Sequence, residues 1–171
     1  MKTLSDAAAG SVNFTPQSTT VDALRGLPAP TVGDNTPRMA GVEMATYTVQ
    51  ATLVEMKLAG DRDIHLVVAD PADPRHTMIV ELPDVGCAGA AGSIKRAEMQ
   101  SARAALVSAC GAASSSFRRL AGSATITGIG FFDQIHGQVG VAPNGIELHP
   151  VLHFESPDCA RVRGAPTPTP P

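Results

Sequence analysis

The chain has no tryptophan, a single tyrosine (Tyr47) and only 4% aromatic residues. Surfaces that hold nucleic acid by stacking its bases depend on aromatic platforms, so that class of partner is disfavoured. The formal net charge of −3 also removes the general attraction to phosphate backbones, and no strong nucleic-acid signature remains. No apolar run approaches the roughly 18 residues of a membrane-spanning helix, so no membrane span is expected. The opening residues, MKTLSDAAAGSV, lack the apolar core of a signal peptide. The expectation is a cytoplasmic protein, or a secreted one if a leader has been removed. P-loop, dinucleotide-binding and G-x-S-x-G patterns are missing, and no cysteine lies near a motif histidine.

Cysteine is scarce as well. Cys87, Cys110 and Cys159 are too few and too irregularly spaced for a zinc ribbon or a disulfide scaffold. Three unpaired thiols is one reading. A single bridge, with Cys87–Cys110 flanking a helix as its most plausible form, is the other.

What is present is a middle section able to fold. Residues 1–41 are rich in Ala, Gly, Ser, Thr and Pro without sustained periodicity, and read as a flexible N-terminal arm with a short helical piece at Thr20–Arg25. Residues 157–171 end in APTPTPP and read as a Pro-rich flexible tail. The domain between them spans 42–156. Its first strand, about Met44–Leu58, alternates Tyr47, Val49, Ala51 and Leu53 with polar residues. The phase then slips to Val54, Met56 and Leu58, which predicts a β-bulge. Strands follow at Asp63–Ala69 and Thr77–Leu82, the latter with Glu81 facing outward. A helix follows over Ser93–Cys110 with Met99, Ala102, Leu106 and Ala109 as its apolar stripe. The last two strands are Ala124–Phe132 and Ile146–Phe154, and Pro150 implies an edge or a bulge in the latter. Strand, strand, strand, helix, strand, strand is the order of the OB-fold, a five-stranded Greek-key barrel. The fold class is therefore mainly β with one helix. An open antiparallel sheet with one helix on a face is the alternative.

In such a barrel the loops joining the first to the second strand and the fourth to the fifth help form the binding surface. The latter runs from Asp133 to Gly145, thirteen residues and longer than a hairpin needs, as functional loops often are. Candidate ligand-binding residues are Asp61, Asp63, Asp133, His136, Gln138 and Asn144. Asp61, Asp63, Asp133 and His136 are expected to approach one another. Imidazoles and carboxylates suit a divalent metal as cofactor, with His65, His136, Glu147 and His149 as candidate ligands. Glu147-x-His149 and Asp63-x-His65 each put two side chains on one strand face about 7 Å apart. Against this stands the plain reading that these are solvated positions on outward faces of half-buried strands, and a metal-free acid/base site is a third reading. Pro143-Asn144-Gly145 is a turn sequence, or part of a backbone nest for an anion. Arg118-Arg119 reads as a solvated pair, and His76 and His153 as surface residues.

At FFDQIHGQVGVAPNGIELHPVL (Phe131–Leu152), with DIHLVVADP (Asp63–Pro71), the chain resembles an uncharacterised bacterial protein family that shares both motifs. The resemblance spans about 44–154 and carries no activity with it. The strand order is also similar to that of staphylococcal-nuclease-like domains, where it implies carboxylates such as Asp63 and Asp70 at a calcium site. The matching arginines are missing, Arg62 and Arg75 being the only ones nearby. Three functions fit: an OB-fold-like binding module using the loop and barrel face, with an unknown ligand or protein partner; a metal-dependent hydrolase; or a structural protein assembling through its tails.

Overall fold

A computed structural model describes residues 1–33 and 36–162. Its strands are β1 (Asn13–Thr19), β2 (Ala45–Leu58), β3 (Ile64–Ala69), β4 (Thr77–Leu82), β5 (Arg118–Ala121), β6 (Ser123–Phe132), β7 (Ile146–Glu155) and β8 (Ala160–Arg161). The helices are α1 (Val21–Arg25) and α2 (Arg96–Cys110). Five strands hydrogen-bond in the order β3-β4-β7-β6-β2, and β2 pairs again with β3, which closes the barrel. All neighbours are antiparallel except β4 and β7, which run parallel. This is the five-stranded barrel of the OB-fold with its helix between the third and fourth barrel strands.

Closure depends on β2. Its first half, Thr46–Thr52, pairs with β6, and its second half, from Thr52 to Leu58, pairs with β3. The register slips between Leu53 and Glu55, at the residues where the apolar phase changes, so the strand bends and serves both sides of the barrel. Val49, Ala51, Leu53 and Met56 then all reach the core with Leu66, Val80, Ile126 and Leu148. A second irregularity in β7, where Gly128 faces Val151 and Gly130 faces Leu148, accommodates Pro150, which has no N–H for the ladder.

Two helices close the barrel ends. In α1 the Thr20 hydroxyl accepts from the Ala23 N–H, and Val21 and Leu24 enter the core. The Asp22 N–H donates to Asp70 and the Arg25 guanidinium to the Thr77 carbonyl, fixing α1 where β3 ends and β4 begins. At the other end Arg103 of α2 donates to the carbonyls of Leu82 and Arg62. The helix begins at Arg96 rather than Ser93, because Ser93 caps a turn at Lys95 instead. Its buried stripe is Met99, Ala102, Leu106 and Cys110, with Ala109 exposed.

The terminal regions differ from the sequence expectation. Residues 1–33 are laid on the barrel rather than free of it: β1 pairs parallel with β2, and Leu4, Ala9 and Val12 cover Ile129. Arg38 holds this segment by donating to Asp6 and to the Met1 and Glu43 carbonyls. Arm residues too polar for an amphipathic pattern thus find their partners across the chain. At the C-terminus β8 pairs with β5, and Asp158 accepts from the Ser123 N–H. Of the expected tail, residues 163–171 lie outside the described residues. Arg118 and Arg119 lie on β5, a strand the sequence pattern does not predict. The disulfide joins Cys110 to Cys159, not to Cys87, which is free. It ties the end of α2 to the segment that leads into β8.

That bridge spans 49 residues and limits the unfolded ensemble, so Cys159→Ser should lower the free energy of unfolding by about 2–4 kcal/mol. Urea denaturation checks this, with Cys87→Ser as the control that should change it by less than about 0.5 kcal/mol.

Candidate functional site

The pairing of β3, β4 and β7 brings together the histidines and carboxylates that are scattered in sequence. His65 lies opposite Glu81, and Ile79 is opposite both Val67 and Glu147. Leu66, Val68, Val80 and Leu148 point into the barrel, so His65, Glu81, Glu147 and His149 share the outer face. They are nevertheless buried: His149 is 1% exposed, Glu147 3%, His65 6%, Asp63 8% and Glu81 9%. The expectation of solvated positions fails here because the chain covers its own sheet. The loop between β6 and β7 lies over β3, with Gly140 against Val67, and Lys2 reaches in beside Glu147.

Each imidazole faces two acceptors. His65 has Nδ1 at 2.9 Å from Glu81 Oε1 and Nε2 at 3.0 Å from the Val139 carbonyl oxygen. His149 has Nδ1 at 2.9 Å from Glu147 Oε1, and Nε2 at 3.5 Å from Asp63 Oδ2. The second contact is an ion pair outside good hydrogen-bond geometry, and Nε2 has no hydrogen-bond partner. A neutral imidazole offers one donor only, so acceptors on both sides, carboxylates at His149 and a carboxylate and a carbonyl at His65, favour the imidazolium. Burial pulls His149 down, but Asp63 and Glu147 outweigh it and raise its pKa to about 9. Burial likewise lowers His65, and Glu81 more than reverses this, leaving it above the usual imidazole range. Glu147 is pushed up by burial despite His149 and Lys2. Asp63 is held below the carboxylate range: burial raises it, but His149 and the Asp84 N–H win.

Lys2 links this buried row to an open cavity. Its Nζ donates to Asp133 Oδ2 at 3.0 Å, lies 3.9 Å from Glu147 Oε1 and sits over the Phe131 ring at 5.3 Å. Glu147 and Asp133 keep its ammonium charged in spite of burial. The cavity, about 460 Å³, is lined by Lys2, Phe131, Phe132, Asp133 and His136, together with Val32, Gly33, Thr36 and Glu43. Glu43 is fixed there by accepting from the Met39 and Phe132 N–H groups.

The sequence candidates therefore divide. Asp133 and His136 meet at the cavity, whereas Asp63, His65, Glu147 and His149 form the buried row. Asp61 joins neither group: it is exposed and accepts from the Asp63 N–H within its own turn. Gln138 is a loop brace that accepts from the His136 N–H and donates to the Gln134 carbonyl. Asn144 is buried and donates to the Leu24 and Leu27 carbonyls, tying the loop to α1. The metal expectation does not fit: among the described residues no three His, Cys, Asp or Glu side chains are grouped to hold an ion. Both nitrogens of His65 and His149 already face acceptors, and His136 stands apart at the cavity. Lys2 and Glu43 carried no sequence signal, being remote in the chain. Glu81 did carry one, as a carboxylate on the same strand face that His65 occupies next door.

Neither family models, nor curated proteins, nor solved structures match this chain. The site has to be understood from its own geometry. With His149 1% exposed, its ring makes no direct contact with a molecule outside the barrel. Two imidazolium ions and Lys2 offset carboxylates that burial would otherwise penalise.

His149→Ala should then cost about 3–5 kcal/mol of stability, because it leaves Glu147 and Asp63 buried without their cation. The folded His149 binds its proton more tightly than the unfolded value of 6.5 and titrates at about 9. Its contribution is complete below the unfolded value and fades as pH rises through the folded one. Denaturation midpoints should therefore fall as the wild type is taken from neutral pH to pH ~9.5, and His149→Gln should lose much of that slope.

Proposed function

We propose that this protein is a small non-enzymatic binding module whose site is the cavity at the start of the β6–β7 loop. The observation that carries the reading is the meeting of Lys2, Asp133 and His136 over an aromatic floor of Phe131 and Phe132 in a cavity of about 460 Å³. Ligand sites are concave, mostly apolar spaces of about 300–1,000 Å³ with a few convergent polar groups. The position supports it too, because OB barrels use the loop between their last two strands for recognition. An adjoining hollow between Pro30, Val32, Ile135 and Asn144 extends the apolar surface along the same loop. The suited ligand is a small molecule with a flat apolar body and a polar head that can exchange with the Lys2–Asp133 pair.

A metal-dependent hydrolase receives less support. Three of its four candidate ligands, His65, Glu147 and His149, are buried and spoken for.

Screening a fragment library by shifts of backbone amide resonances tests the proposal. Hits should move Phe131–His136 and Lys2 together. Asp133→Ala and His136→Ala should weaken them by about tenfold or more, the loss expected for removing a polar group that hydrogen-bonds the ligand, with His136→Ala leaving the thermal midpoint unchanged. Hits that map elsewhere on the barrel, or that ignore both substitutions, would rule this cavity out as the site.

A further inference from the structure

The β6–β7 loop crosses the outer face of β3, and two contacts hold its middle there. One is the hydrogen bond between His65 Nε2 and the Val139 carbonyl at 3.0 Å. The other is the seat of Gly140 on Val67, where an added Cβ would lie 2.4 Å from a Val67 methyl. The loop's ends are fixed independently. The Asp133 N–H donates to the Gly145 carbonyl, and Asn144 is bound to the Leu24 and Leu27 carbonyls. Between these ends Ile135, His136 and Val139 are exposed, and Gly137 and Gly140 adopt φ of +89° and +81°.

The His65 contact needs a particular proton count. A carbonyl oxygen only accepts, and so does an ionised carboxylate. His65 lies between the two, with Glu81 2.9 Å from Nδ1, so both bonds exist together only when both ring nitrogens carry hydrogen. We propose that the β6–β7 loop is a proton-controlled latch: protonated His65 holds residues 137–141 across β3, and loss of one proton releases them.

When one proton leaves, the bond to Glu81 is the one retained, since a charged acceptor binds the stronger of the two. The Nε2 lone pair then faces the lone pairs of the Val139 oxygen, and attraction becomes repulsion. The groups around His65 set where this happens. Glu81 on β4 favours the imidazolium. Lys57, its cross-strand partner on β2, opposes it. The Phe117 ring meets His65 edge-on at 5.6 Å and carries the Lys57 ammonium on its face at 4.7 Å. On β7 His149 and Glu147 lie beyond Glu81, which acts on both electrostatically. The loop itself brings two titratable groups: His136, which is exposed, and Asp133, which is held by Lys2. Burial also disfavours the charged ring, and the balance still lies above the usual imidazole range. The folded-state pKa is thus raised, so the latch is closed below it and opens as pH rises through it. This device stands whether or not the neighbouring cavity binds a ligand.

Proton-free carbon–nitrogen NMR between pH 6 and 10 reads the latch directly. The Val139 carbonyl carbon and the His65 ring should titrate with one common midpoint above the ordinary imidazole value. In the same step a soluble nitroxide should begin to broaden the Val67 methyls, now uncovered. Glu81→Gln removes the nearest opposite charge and should move all three midpoints down by about one pH unit or more. His65→Gln should abolish the Val139 step. A ring that titrates while the Val139 carbonyl stays flat would overturn the proposal, as would Val67 methyls that remain shielded throughout. If His65→Gln fails to fold, the wild type and Glu81→Gln still decide, because separate midpoints for ring and carbonyl contradict the latch.

Discussion

Asp63, His65, Glu81, Glu147 and His149 occupy one face of three adjacent strands and are all at most 9% exposed. Burying that many ionisable groups is tolerable only if opposite charges are placed at hydrogen-bond distance, because each unpaired ion carries several kcal/mol of desolvation cost. Much of the remaining architecture follows from this requirement. The β3–β4 register sets His65 beside Glu81. The two-residue period of β7 sets His149 beside Glu147. The turn before β3 brings Asp63 to the far side of the His149 ring. Carboxylates still outnumber imidazoles, and the N-terminal segment supplies the missing cation as Lys2.

Covering such a row is itself a structural task. On a barrel of this kind the outer face of the second and third strands is commonly where ligands lie. Here the chain's own loop occupies part of it, with Val139 and Gly140 against His65 and Val67. The open space is displaced to the start of that loop, where Phe131 and Asp133 meet Lys2. One lysine therefore faces the buried row on one side and the cavity on the other. Changes at the cavity and in the row are electrostatically connected through it.

The barrel was legible because its information is local and periodic. The phase change after Leu53 announced the bulge that bends β2, and Pro150 announced the irregularity in β7. Strand order then gave the topology. The short helix after Thr20 was legible from its cap. What escaped was non-local. The N-terminal residues lack any period, since β1 is an exposed polar edge strand and Lys2 meets Asp133 across 131 positions. Alternation placed Glu147 and His149 correctly on the outer face, but a period of two cannot say what lies on top of that face. Burial of the row, and with it the change from solvated or metal-binding residues to an internal ion network, came from the loop's path. The Cys110–Cys159 pairing was hidden for the same reason, because it depends on where the segment after β7 returns.

The central claim is that the two buried histidines are cations within that network. Long-range nitrogen–proton correlation spectra at pH 7.5 report directly whether each ring nitrogen carries hydrogen. Both nitrogens of His149, which titrates at about 9, should appear protonated at that pH, and those of His65, whose pKa is also raised, should do so as the pH is lowered. A lone-pair nitrogen on His149 at that pH would mean that its carboxylate neighbours are not ionised around a cation, and the account of what holds this face together would be wrong.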